Sequence, residues 1–259
     1  MELGLKRKKQ AKFKFGTMGI IDSILKKVVL QEALIVEKTK LSDAAYKIRL
    51  KSEGIASADF VPGYFLRLGI GIDKEEVSMK DKIRSYSVWD INKSEGYMDL
   101  AIATHSKGMG SNWVEQCQPG EDVYFKWKKG NFLVDNSADS YLMIGDLSAL
   151  SHLYMIHRAL PAGKNVESII YSHNKNELFP DISGTEPFDF YGLPTNPKEE
   201  IMDLVKARVS KMSGKKMVYI AGDSRICAQL NQYFRKELKW ETKQIKTKPF
   251  WNPDKKGLE

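Results

Sequence analysis

Cysteine and histidine are scarce in this 259-residue chain: Cys117 and Cys227 are its thiols, and His105, His152, His157 and His173 its imidazoles. The two cysteines stand far apart and lack CxxC spacing, which excludes a disulfide framework and a four-cysteine iron-sulfur cluster. Both read as buried thiols. His152 and His157 are five residues apart rather than four, so they do not share a helix face well, and no zinc or iron cage is expected. No run approaches the roughly 18 to 20 apolar residues that a membrane-spanning helix needs. Asp22, Lys26 and Lys27 interrupt the one segment that imitates a signal sequence. A cytoplasmic protein without membrane insertion is expected. The chain has no G-x-S-x-G element and no Walker lysine motif, which excludes an ordinary serine hydrolase and a P-loop NTPase. The full GxGxxG fingerprint is absent as well.

What is present suffices for packed cores. Hydrophobic residues make up 42% of the chain and aromatic residues 10%, while 29% charged residues is ordinary for a globular protein. The length exceeds the usual domain of roughly 100 to 150 residues, so two domains are expected. The net charge of +8 favours anionic partners. Much of it lies in Lys6, Arg7, Lys8, Lys9, Lys12 and Lys14, a run without a helical apolar stripe. Residues 1–18 are read as a solvated basic tail, with Met18 a candidate start. A nucleic-acid or membrane-surface binding module that uses this tail is the non-enzyme alternative, and neither partner is expected.

Hydrophobic rhythm divides the remainder. Residues 33–132 read as short strands and turns, as in the alternation Tyr46-Lys47-Ile48-Arg49-Leu50, and point to an antiparallel barrel or sandwich. One helix, residues 111–118, interrupts them between the Gly108-Met109-Gly110 turn and Pro119-Gly120. After about Asp135 strands alternate with helices: strands at 141–144, 166–171, 188–191, 217–221 and 242–246, and helices at 148–160, 197–211 and up to about 238. Such alternation predicts a mostly parallel α/β layer. The domains are set at 19–134, an antiparallel β-barrel, and 135–259, the α/β domain with a C-terminal extension.

Two constellations carry chemistry. Arg84-Ser85-Tyr86-Ser87 places Arg84 and Tyr86 on one strand face and Ser85 and Ser87 on the other. It supplies what a flavin dinucleotide needs: a cation, an aromatic plane and a small polar group. About twenty residues later, Lys107-Gly108-Met109-Gly110-Ser111 opens a helix. Glycines there let backbone N–H groups approach an anion, and the helix start favours negative charge. Read alone, each is equally an ordinary strand or an N-capped turn. Gly145-Asp146 and Gly222-Asp223 each follow a strand and precede a helix, where open α/β sheets bind ligands, although structural turns look the same.

Together these segments resemble the paired FAD motifs of ferredoxin-NADP reductases. The stretches Asp99 to His105, Gly145 to Leu150, Ala221-Gly222-Asp223 and Phe250-Trp251 narrow the resemblance to the siderophore-interacting proteins, from about Gly19 to Gly257. The resemblance implies an FAD domain followed by an NAD(P)H domain. It implies that Arg84 holds the FAD phosphate, Tyr86 lies against the isoalloxazine and Ser87 sits near its N5, with Tyr86 and Ser87 the catalytic pair. Ser85, Ala103, Thr104, His105, Gly108, Met109, Gly110 and Ser111 complete the implied FAD set. Gly145, Asp146, Ser148, Ala149, Gly222 and Asp223 are implied for the nicotinamide nucleotide. Pro62-Gly63-Tyr64 departs from the family's Pro-Gly-Gln at Tyr64.

Ser172, His173 and Lys175, at the end of the second α/β strand, suit a 2'-phosphate, so NADPH is the expected donor, with NADH the alternative. The implied activity is reduction of the Fe(III) of a ferric siderophore or other anionic ferric chelate by a monomeric enzyme. Ferredoxin, flavodoxin or free flavin are alternative partners on the same scaffold. Lys47, Lys246, Lys248, Trp251 and Lys255 are candidates for drawing in the anionic chelate.

Overall fold

The computed structural model describes residues 30–70, 82–105 and 108–254. The basic tail, Lys107 and Lys255 therefore lie outside the described residues.

Seven strands make the first sheet: β1 (Gln31–Ser42), β2 (Ala45–Lys51), β3 (Phe65–Gly69), β4 (Ile83–Ser87), β5 (Asp90–Asn92), β6 (Tyr97–Ala103) and β7 (Asp122–Lys128). Their order is β4-β3-β7-β1-β2-β6-β5, with antiparallel pairing throughout. Alternation decides the faces. Ile48, Leu50, Leu66, Leu68, Leu100 and Phe125 turn into one buried core, whereas Lys47, Arg49 and Lys126 turn outward. The sheet wraps around that core like a barrel, but β4 and β5 remain its two edges and share no ladder among the described residues. The barrel expected from strand count is thus not closed by hydrogen bonds. A four-residue helix that the sequence reading missed, α1 (Glu53–Ala56), is capped by Ser52, whose hydroxyl accepts from the Gly54 N–H at 3.3 Å. The expected helix is α2 (Met109–Gln116), which packs Val114 into the barrel core.

The second sheet contains β8 (Ser140–Asp146), β9 (Asn165–Ser172), β10 (Phe190–Gly192), β11 (Lys216–Asp223) and β12 (Ile245–Trp251) in the order β10-β9-β8-β11-β12. All four pairings are parallel. The central strands β8 and β11 are buried almost throughout, as a strand covered on both faces must be. Helices α4 (Lys198–Val209) and α5 (Ser224–Gln232) cover one face around Leu142, Ile144, Val218 and Ile220.

Helix α3 (Leu150–Arg158) covers the other face and packs between the two sheets. The core on this side is shared: Ala44, Ala45, Trp89 and Phe132 of the first half pack with Tyr141, Met143, Tyr154 and Phe179 of the second. Arg158 also bonds buried Asp181 and the Trp89 carbonyl, while the Trp89 indole N–H donates to Asp181 at 2.9 Å. This apolar seam with a buried ion pair at its edge fixes the relation between the halves.

Candidate functional site

The two motifs meet. A Cβ added to Gly110 would stand 2.2 Å from the Tyr86 hydroxyl and 4.0 Å from Arg84 Cγ. Strand β4 and the start of α2 therefore touch where the missing side chain of Gly110 leaves room for the Tyr86 hydroxyl. Gly108, at the helix N-cap, offers no side-chain bond, and the first helical return bond is Asn112 N–H to the Gly108 carbonyl, 3.0 Å. The first turn of α2 thus directs N–H groups away from its own helix. Ser111 is buried there, Met109 packs on the barrel core, and the Arg84 guanidinium donates to the Ile83 carbonyl at 2.7 Å.

The other face of β4 carries Ser85 and Ser87. Ser85 stands opposite Arg67 on β3, and Ser85 Oγ and Arg67 Nε are buried with no hydrogen-bond partner among the described residues. Buried polar atoms are seldom left so. The close approach at Gly110 and the helix start with outward donors, beside Arg84, form a donor set that fits a dinucleotide with an anionic pyrophosphate.

Ser87 faces the second half. Its Oγ lies 2.9 Å from Nδ1 of His152 on α3, and His152 Nε2 lies 3.2 Å from the Phe132 carbonyl oxygen. Complete burial, with Lys248 adding to it, pushes His152 down to about 4, so the ring is neutral. Lys248 on β12 sits 3.9 Å above the Phe65 ring, and Phe250 packs on His152 at 5.6 Å. Burial lowers Lys248 from the ordinary lysine range, and no carboxylate pairs with it among the described residues. Next along the strand, Trp251 meets His105 at 5.5 Å, and Thr104 N–H donates to the Ala44 carbonyl. Ala103 packs against the shared core. The ends of β4, β6 and β12 and the start of α2 thus converge.

At the carboxyl ends of β8 and β11, the Asp146 carboxylate accepts from the Ser148 N–H and hydroxyl on one oxygen. On the other it accepts from the Asp223 N–H at 2.7 Å and the Trp251 indole at 2.8 Å. All four acceptor positions are engaged, so Asp146 shapes the strand ends instead of offering a free oxygen. Gly222, at φ +116°, is required here, because a Cβ would lie 2.3 Å from Asp146 Oδ2. A Cβ on Gly145 would stand 2.7 Å from Leu153 Cδ1 and 3.1 Å from Ala149 Cβ. Asp223 caps α5 and pairs with Arg225.

At the end of β9, Ser172 bonds the carboxylate of Glu177, which also faces the Asn174 N–H in a capping box. The sequence reading counted Ser172, His173 and Lys175 as polar and basic but missed that the chain folds an acidic residue among them. Lys47 ion-pairs with Glu37 at 2.6 Å and Lys246 with Asp135 at 3.2 Å. Of the expected lysines among the described residues, Lys248 is the one without a carboxylate partner.

Comparison with known proteins matches both halves of the chain. Residues 32–133 match the oxidoreductase FAD-binding domain, and residues 138–254 match the siderophore-interacting protein domain. NADH-cytochrome b5 reductase 1 of Cryptococcus neoformans is 28% identical over 102 residues, 38% of this chain and 35% of the relative. The reductase of the same name from Pyricularia oryzae is 27% identical over 145 residues, 54% of this chain and 46% of the relative. The chain therefore matches less than half the length of these relatives. Among solved structures, the siderophore-interacting protein SipS from Aeromonas hydrophila superposes with a TM-score of 0.70 at 15% identity, over 87% of this chain and 92% of that one. A siderophore utilization protein from T. fusca gives 0.69 at 14% identity, over 89% and 95%. These likenesses establish the fold.

Proposed function

We propose that this chain, which joins an oxidoreductase FAD-binding domain to a siderophore-interacting protein domain on the ferredoxin reductase-like fold, reduces ferric chelates with electrons from a nicotinamide nucleotide. The observation that supports the reading is the contact of β4 with the glycine start of α2, where FAD would lie beside Ser87.

Arg84 and the first turn of α2 would hold the FAD pyrophosphate, through charge and backbone N–H groups. Tyr86 would flank the isoalloxazine, and Ser87 would stand at its N5 edge. Bound FAD would accept two electrons from NAD(P)H and pass them on singly, which matches one nicotinamide oxidised to two Fe(III) reduced. Gly145, Ser148, Ala149 and Gly222 border the crevice at the strand ends where the nucleotide would lie. Lys248 favours an anionic acceptor by its unpaired charge. Because hard oxygen ligands hold Fe(II) more weakly than Fe(III), reduction releases the metal.

The choice of donor turns on β9. Lys175 and His173 suit a 2'-phosphate, but the Glu177 carboxylate bonded to Ser172 disfavours one and suits a free ribose hydroxyl, which favours NADH.

The test is a visible spectrum recorded without oxygen, first with NADH or NADPH and then with a ferric siderophore and a ferrous-iron indicator. Bleaching by the nucleotide, recolouring by the chelate and two Fe(II) per nucleotide are expected. Recolouring by ferredoxin or cytochrome but not by the chelate would replace the acceptor, and a protein that binds no FAD would end the reading.

A further inference from the structure

The encounter of Ser87 with His152 fixes the direction of a hydrogen bond. A carbonyl oxygen can only accept, so the contact between His152 Nε2 and the Phe132 carbonyl requires the proton on Nε2. A neutral imidazole carries one such proton, which leaves Nδ1 a bare acceptor. The partner of Nδ1, at 2.9 Å, is the Ser87 hydroxyl. Ser87 must then donate its one proton to His152, and only lone pairs remain on its oxygen to face the cleft. The opposite arrangement would place the Nε2 lone pair against the Phe132 carbonyl in a buried site, where leaving both acceptors without a donor is costly. The ring cannot turn away easily, because Phe132 packs on it at 5.3 Å and Phe250 at 5.6 Å. His152 is 1% exposed.

We propose that His152, a positioning residue supplied by α3 of the second half, locks Ser87 as a hydrogen-bond acceptor and so favours the reduced over the oxidised flavin. This rests on the reading above that Ser87 meets the flavin N5. The oxidised ring has a lone pair at N5 and needs a donor there, whereas the reduced ring has an N–H and needs an acceptor. A serine free to rotate serves both; a serine tied to His152 serves the reduced form alone. The seam between the halves thereby sets the redox balance of the first.

Three measurements test this. Imidazole nitrogen NMR on flavin-free protein near neutral pH is expected to show His152 as the neutral Nε2–H form; an Nδ1–H form would overturn the proposal. The ratio of FAD affinities, reduced over oxidised, is read from the midpoint potential. One net hydrogen bond predicts that His152→Leu lowers this ratio about tenfold, about 30 mV for a two-electron couple, with His152→Asn restoring most of it because its side-chain carbonyl can accept from Ser87. Ser87→Ala should give the same fall and removes no apolar core side chain, which keeps the test open if His152→Leu fails to fold. An unchanged ratio in FAD-loaded Ser87→Ala would overturn the proposal. If the wild-type protein bound no FAD, the claim about N5 would fall with the functional reading, while the NMR result would still decide the polarity of Ser87.

Discussion

Acidifying the flavin-free protein from about pH 7 to about pH 4.5 is expected to destabilise it through His152. Its ordinary value of 6.5 applies to the unfolded chain, and burial brings it to about 4 in the folded one. Between those values the unfolded state binds a proton that the folded state does not. Stability therefore rises with pH across the window, is fully present above about 6.5 and falls away as pH drops toward about 4. At about 1.4 kcal/mol per unit, this group removes roughly 2 to 3 kcal/mol by pH 4.5, a large part of a stability of about 5 to 15 kcal/mol. Chemical denaturation of the wild type and His152→Leu at both pH values isolates the effect. His157, which burial also lowers, and Glu37 and Asp135, lowered mainly by hydrogen bonds, titrate in both proteins and cancel. The wild type should lose about 2 to 3 kcal/mol more than the variant; equal losses would refute a neutral buried imidazole.

Other substitutions read other joints. Gly110→Ala should cost about 1 to 3 kcal/mol and lower the flavin-to-protein ratio, and adding Tyr86→Phe should recover part of both, since the clash is with the hydroxyl; failure to recover would refute the close approach. Arg158→Ala should cost about 3 to 5 kcal/mol in thermal or denaturant unfolding, because buried Asp181 loses its ion-pair partner. Trp251→Phe should cost about 1 to 3 kcal/mol by removing one of the four donors to Asp146, read as earlier unfolding and faster proteolysis after β12. Glu177→Ser should shift the kcat/KM ratio toward NADPH by about tenfold if its carboxylate meets the ribose; an unchanged ratio would separate Glu177 from nucleotide choice.

The parallel sheet was legible because its strands are short apolar runs with helices between them, and the pattern of β8 and β11 cannot suit a half-exposed strand. Strand β1 was harder to read: its second half, Glu37 to Ser42, is polar apart from Leu41, and it belongs to the strand mainly through pairing with β2. Helix α1 is too short for periodicity to register, although Ser52 before Glu53 was a capping signal. Closure of the barrel was beyond reach, since strand number does not say whether β4 and β5 will share a ladder.

The candidate site divides in the same way. Arg84 to Ser87 and Gly108 to Ser111 announce themselves, because each motif does its work within a few residues of backbone. What a side chain meets across the fold is another matter. Lys47 looked available for an anion until β1 brought Glu37 beside it, and Asp146 looked like a ligand until β11 and β12 supplied donors to its second oxygen. His152 is the sharpest case. Its spacing from His157 argues against a metal, and helix periodicity makes it one more core position. Its partner Ser87 lies 65 residues earlier, on a strand of the other half. Only packing α3 between two sheets brings the imidazole to the serine, and only the Phe132 carbonyl behind it decides which of the two donates. The chemistry of Ser87 is therefore set by three segments, each unremarkable alone, and a sequence pattern strong enough to name the serine could not fix its hydrogen-bond sense.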